Sequence, residues 1–280
     1  GSGAAIVCNT LAVTAGAVAK VRQPNTILGE IAVVAGRPAN LITRQQEYFR
    51  AQFASTEPVG ELSNLFVVAD GMGGHQAGDF ASRYLIEHMP EYIKESGENE
   101  PVAALRKGIE AVNQELYTLS CEREELAGMG TTLVAASIQG NTLYVANVGD
   151  SRLYRIERSG IHQITRDHSY VEAMVSLGQM SRGSREYETK KNIITRAVGI
   201  GGHVEPDFFE VSLNPGDYIL LCSDGLTNMV DNSAIYRMVL LPGTLDTKAR
   251  ALTALANQNG GKDNIAVILI DPQIKEVRES

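Results

Sequence analysis

Four aspartates stand where a carboxylate could do more than solvate a surface. In Val67-Val68-Ala69-Asp70-Gly71-Met72-Gly73-Gly74-His75, an apolar run delivers an acid at its end. Glycines follow at once and let the backbone turn tightly and approach a ligand closely. Two readings fit: a metal-bearing strand end, with the Gly71 carbonyl joining Asp70, or a glycine-rich turn with a capping aspartate. Asn147-Val148-Gly149-Asp150-Ser151-Arg152 places another acid in a turn between two strands, and alone it reads as a hairpin. Tyr218 to Leu226 repeats the first pattern, an apolar strand, then Asp224, then Gly225, and Gly260-Gly261-Lys262-Asp263-Asn264-Ile265 sets an acid just before an apolar strand. With no internal repeat to explain them, these acids suggest carboxylates converging on one point.

Hard divalent cations such as Mg²⁺ and Mn²⁺ take oxygen ligands and often keep several waters. A set of Asp carboxylates and a backbone carbonyl, without a Cys or His cluster, therefore favours Mg²⁺ or Mn²⁺ over Zn²⁺. Two such ions roughly 3.5–4 Å apart can share a hydroxide and stabilise both attacking and leaving oxygens of an in-line displacement. That is hydrolysis of a phosphoryl ester without a protein nucleophile.

The elements that must position these acids follow from periodicity. Strands are expected at Ile31 to Ala35, Leu65 to Ala69, Thr131 to Ile138, Thr142 to Asn147, Tyr218 to Cys222 and Ile265 to Ile270, short runs bounded by Gly, Asp or Asn. Asp79 to Glu95 and the segment after Pro101 carry helical apolar stripes, the latter through Leu105, Ile109, Val112 and Leu116. Further helices are expected at Val171 to Leu177, Ser233 to Leu240 and Asp246 to Gln258. Consecutive strands suggest antiparallel hairpins, and the long helices must cover a sheet face. A layered α+β architecture follows more naturally than βαβ alternation. We divide the chain into an N-terminal extension, 1–30, whose Gly1-Ser2-Gly3 reads as a tag remnant, and one domain, 31–280.

The chain has 280 residues, 44% hydrophobic and 21% charged, which fits an ordinary globular protein. Its net charge of −8 argues against a general nucleic-acid binder. Three scattered cysteines form neither a zinc pair nor a disulfide framework, so a reducing, cytoplasmic setting is expected. No apolar stretch approaches the roughly 20 residues of a membrane span. A nucleotide-binding reading of the glycine loop fails, because the Lys-Ser/Thr of a P-loop is missing.

Taken in order, D-G-M-G-G-H at 70–75, M-G-T-T at 129–132, V-G-D-S-R at 148–152, Asp167-His168-Ser169, I-T-R-A-V-G at 194–199, L-C-S-D-G-L at 221–226 and K-D-N-I at 262–265 resemble the bacterial type of the metal-dependent (PPM, or type 2C) serine/threonine protein phosphatases. The resemblance covers about residues 31 to 270 and implies a four-layer αββα sandwich, two antiparallel sheets flanked by helices. It implies that Asp70 bridges two cations, with the Gly71 carbonyl on one, that Asp224 and Asp263 hold the other, and that Asp150 holds a third, weaker ion. It implies a phosphorylated protein as substrate, dephosphorylated in opposition to a Ser/Thr kinase, and a flap over about Ser169 to Lys191.

Two positions depart from the family pattern. Its Arg and N-[EQ]-D register falls on Ile42 and on Gln45-Gln46-Glu47, so Glu47 stands at a metal-binding Asp position and Ile42 at a phosphate-binding Arg. Arg37 or Arg44 could supply the missing guanidinium. A methylene in the wrong place can displace a ligand by about 1 Å, worth on the order of a hundredfold in rate. An attenuated pseudophosphatase that binds phosphoproteins is therefore the alternative expectation. His75 could act on the substrate as a general acid or simply pack against the following helix. His168 is expected to order its turn, and Cys222 to lie in the core.

Overall fold

The computed structural model describes the strands within residues 4–36, then residues 65–272 apart from Gly74. Side chains are described from Leu65 onward, those of His75 and Gln76 excepted. Strands β1 (Ala4–Cys8), β2 (Leu11–Val13), β3 (Val18–Lys20) and β4 (Glu30–Gly36) come first. After β5 (Phe66–Met72) come the helices α1 (His75–Ser96) and α2 (Pro101–Glu122). Then follow β6 (Gly130–Thr131), β7 (Leu133–Gln139), β8 (Thr142–Val148), β9 (Arg152–Glu157) and β10 (Gly160–Gln163). Two short helices, α3 (Tyr170–Ser176) and α4 (Arg185–Lys190), precede β11 (Asp207–Ser212) and β12 (Tyr218–Cys222). The chain ends in α5 (Asp224–Thr227), α6 (Asn232–Leu240), α7 (Leu245–Gln258) and β13 (Ile265–Asp271).

The strands form two antiparallel sheets, ordered β11-β8-β7-β5-β1-β2 and β10-β9-β12-β13-β4-β3. Period-two side-chain alternation separates three cores. Val67 and Ala69 of β5 pack toward α1 and α2, where Leu85, Met89, Ile93, Leu105, Ile109 and Leu116 are buried. Phe66 and Val68 point the other way and meet Ile219, Leu221, Ala266 and Ile268 of the second sheet. The opposite face of that sheet, Leu220, Cys222, Val267 and Leu269, is covered by Ile235 and Val239 of α6 and Leu252 of α7. The result is the expected sequence of layers, helix, sheet, sheet, helix.

The expected strand from Thr131 to Ile138 is interrupted. Thr131 pairs through its backbone with Val198, whereas Thr132 donates its N–H to the Asp70 carbonyl at 2.8 Å. Two partners on different segments break the ladder at that point. Helix α1 opens at His75, four residues before its expected start, while α2 begins at Pro101 as expected. Glu100 caps α2 by accepting the N–H groups of Val102 and Ala103. Three strands lie before residue 30, and they hydrogen-bond into both sheets. Among the described residues, no helix is long and apolar enough to cross a membrane.

Candidate metal centre

Asp70 and Asp224 are each held by a local reason for their backbone. Gly71 is required because a Cβ there would lie 1.9 Å from the carbonyl oxygen of Gly78, where α1 crosses the end of β5. Gly225 is required for the same kind of reason, since its Cβ would lie 2.1 Å from the Asn264 carbonyl oxygen. In both places the residue after the aspartate is glycine so that a neighbouring backbone can come close. The Asp-Gly pattern is thus a packing signature that also fixes where the acid sits.

Hydrogen bonds bring these acids to one rim of the sandwich. The Asp70 N–H donates to Thr132 Oγ1 at 3.0 Å, and that hydroxyl shares a 2.8 Å hydrogen bond with Ser151 Oγ, next to Asp150. On the second sheet, Ser223 Oγ donates to the Asn264 carbonyl and accepts the Ala266 N–H, tying the start of α5 at Asp224 to the segment of Asp263. Asp150 and Asp224 link the two halves electrically. Burial and then the Asp224 charge push the Asp150 carboxyl up to about 7. Burial and then Asp263 push Asp224 up to about 6.

The nearby Arg152 is committed to Asp167, which accepts from Nε at 2.9 Å and from Nη2 at 2.6 Å, while Nη1 reaches the Tyr154 hydroxyl. His168 holds the turn from behind. Its backbone N–H donates to the Gly149 carbonyl, and its Nδ1 accepts the Gly149 N–H at 3.2 Å. The ring proton therefore sits on Nε2, which meets Asp207 Oδ2 at 3.0 Å. Burial lowers the His168 pKa, against the pull of Asp207, so the neutral ring that this geometry needs is favoured.

A cavity of about 190 Å³ opens beside the rim, lined by Asp150, Asp224, Asp167 and Asn228 below and by Tyr187 and Lys191 of the flap above. Arg182 and Tyr187 both donate to Glu172, which joins α3 to α4.

Do these residues suit a hard cation? Among the described residues, no three His, Cys, Asp or Glu side chains gather into a cage. The acids instead interact in pairs, Asp150 with Asp224 and Asp224 with Asp263. Asp224 Oδ1 is buried without a hydrogen-bond partner, while Oδ2 is held by Asn228 at 2.9 Å. A buried, ionisable oxygen left open beside two further carboxylates fits an ion that binds through one or two carboxylates and otherwise through carbonyl and water oxygens. The donor set fits the group.

Of the predicted residues, Asp70, Gly71, Asp150, Asp224 and Asp263 stand at this rim. Glu47, Arg37, Arg44 and Ile42 lie outside the described residues. His75 opens α1, and its side chain also lies outside them. Sequence reasoning missed Asn228; its spacing of one helical turn from Asp224 was the available signal.

A family model described as protein phosphatase 2C matches residues 45–266. The serine/threonine phosphatase of Listeria monocytogenes is 40% identical over 216 residues, covering 76% of this chain and 86% of that protein. The serine/threonine phosphatase structure from S. agalactiae is 35% identical with a TM-score of 0.75, covering 86% of this chain and 98% of that one. The catalytic domain of the phosphatase PstP, in complex with two manganese ions, is 31% identical with a TM-score of 0.70 over 87% of this chain and 97% of that one. With its two stacked antiparallel sheets and acid-lined rim, the chain belongs to the protein phosphatase 2C family. It is a metal-dependent protein serine/threonine phosphatase.

Proposed function

We propose that this chain hydrolyses phosphoserine and phosphothreonine in proteins with two cations, Mg²⁺ or Mn²⁺, held by Glu47, Asp70, the Gly71 carbonyl, Asp224 and Asp263, with a weaker third ion at Asp150. Bound cations supply Lewis acidity and lower the pKa of a water shared between them, so that hydroxide is available near neutral pH. The chain's own part is to hold the carboxylates in place before the cations arrive. Thr132 and Ser151 fix Asp70 of β5 and the Asp150 turn against each other, and Ser223 fixes the start of α5 at Asp224 against the segment of Asp263. Arg152, bound bidentately by Asp167, keeps positive charge near the acids without occupying the ion positions. The flap closes one side of the cavity and presents Lys191 and Tyr187 to the phosphoprotein. Arg37, Arg44 and His75 are assigned to substrate binding, and a Ser/Thr kinase is the opposing enzyme.

The observation that carries this reading is the partnerless, buried Asp224 Oδ1 among mutually repelling carboxylates. The test is hydrolysis of a phosphothreonine peptide with Mn²⁺. Asp70→Ala and Asp224→Ala should each lower kcat/KM at least about a hundredfold, the scale on which metal-ion stabilisation is lost. Activity that survives both substitutions overturns the proposal.

A further inference from the structure

Asn228 sits where two parts of the molecule meet. It is the C-cap that follows α5, and its backbone N–H donates to the Asp224 carbonyl at 2.8 Å, so its side chain returns over Asp224 one turn earlier. The amide nitrogen has two hydrogens. One goes to Asp224 Oδ2 at 2.9 Å, and the other reaches Asn192 Oδ1, just past α4 where the flap ends, at 3.4 Å. All three side chains line the same cavity. With Oδ2 taken by this amide, Oδ1 is the oxygen left buried and open.

We propose that Asn228 is a positioning residue that fixes the Asp224 carboxylate with Oδ1 toward the cation and ties that orientation to the flap through Asn192. The inference rests on the reading of Asp224 as a cation ligand. A carboxylate in a site of this kind can rotate about its Cβ–Cγ bond, and a single donor on one oxygen removes that freedom. The same donor is shared with the flap, so a flap that moves away releases one of two restraints on the amide. Cation affinity and flap position are then linked, and the linkage acts in both directions.

The experiment is a Mn²⁺ titration by calorimetry on the full chain, read beside flap proteolysis between α3 and α4. Asn228→Ala should weaken Mn²⁺ binding about 10–100-fold, as loss of a partner behind a ligand does. Asn228→Gln, which keeps an amide but moves it by a methylene, gives a second background with the same direction of change, and far-UV circular dichroism checks that each is folded. Asn192→Ala should weaken binding about threefold and expose the flap to protease, and its effect should vanish when Asn228 is already alanine. Wild-type Mn²⁺ affinity in folded Asn228→Ala overturns the inference, as does an Asn192→Ala effect that persists in the double variant. Asp224→Ala separates the two levels: Mn²⁺ binding that survives it overturns the reading of the centre itself. Loss there with unchanged Asn228→Ala overturns only the role of Asn228.

Discussion

At the scale of single residues, the glycines after Asp70 and Asp224 make the sharpest expectation. An added methyl would meet backbone atoms 1.9 and 2.1 Å away, and backbone cannot rotate aside as a side chain can. Gly71→Ala and Gly225→Ala should each lower stability by about 1–3 kcal/mol in urea denaturation, the usual scale of overpacking. Gly201→Ala, whose Cβ would find its nearest atom at 3.7 Å, is the control and should stay within about 0.5 kcal/mol. The acids themselves set a pH dependence. Asp150 and Asp224 hold their protons more tightly in the folded protein than in the unfolded chain, where the ordinary value is 3.8. As pH rises above 3.8 toward about 7, their ionisation destabilises the metal-free fold, and above that window the loss is constant. A bound cation favours the ionised acids. The rise in Tm on adding Mg²⁺ to chelated protein should therefore be larger at about pH 7.5 than at about pH 5.5. His168 works in the opposite sense, since a lowered histidine pKa withdraws stability as pH falls below 6.5. Comparing Asp150→Asn with the parent isolates the acid contribution: the variant should show the flatter fall in metal-free Tm between those pH values.

At the scale of elements, the flap carries its own test. Burial raises the Glu172 pKa, but the hydrogen bonds from Arg182 and Tyr187 outweigh it and hold the carboxyl below its ordinary value. Removing that hub with Glu172→Ala frees Tyr187 at the cavity mouth. KM for a phosphopeptide should rise several-fold with kcat changed less, because the acids of the rim are untouched. A fall in kcat with KM unchanged would place the flap in the chemical step instead. These short helices were only partly legible in the sequence. Val171 to Leu177 has an apolar rhythm and emerges as α3, but α4 is Arg-Glu-Tyr-Glu-Thr-Lys without one buried residue, so periodicity cannot find it. The strands that were read correctly, at Tyr218 and Ile265, are apolar on both faces because each side of their sheet is covered. Strand β11 was missed because it is an edge strand whose residues are all intermediate or exposed, with Asp207 and Glu210 in its run. Asp70 and Asp224 were legible because Asp-Gly at the end of an apolar run records a close backbone approach. Asn228 was not, because its meaning depends on Asn192, thirty-six residues away.

At the scale of the whole molecule, the two sheets meet through an apolar interior that supplies cohesion and no directional contact at the rim. The charges on that rim work against the interior. Asp70 lies in β5 of the first sheet, Asp150 in the connection that crosses from β8 to β9 of the second, Asp224 opens α5 after β12 and Asp263 precedes β13, and burial with mutual repulsion raises Asp150 and Asp224 together. On the proposed reading, a cation held by acids of both sheets converts this repulsion into a cross-sheet tie. Its effect on local opening should then appear on both sheets at once. Hydrogen exchange of the chelated and Mn²⁺-loaded protein tests this. Protection should rise together at residues 70–72, 149–151, 223–228 and 262–265, while the distant turn after α6, around Pro242 and Gly243, keeps its rate. Asp224→Ala should abolish the gain in all four segments. A gain confined to 223–228 and 262–265 would mean that the cation is held by the second sheet alone, and that Asp70 does not bridge.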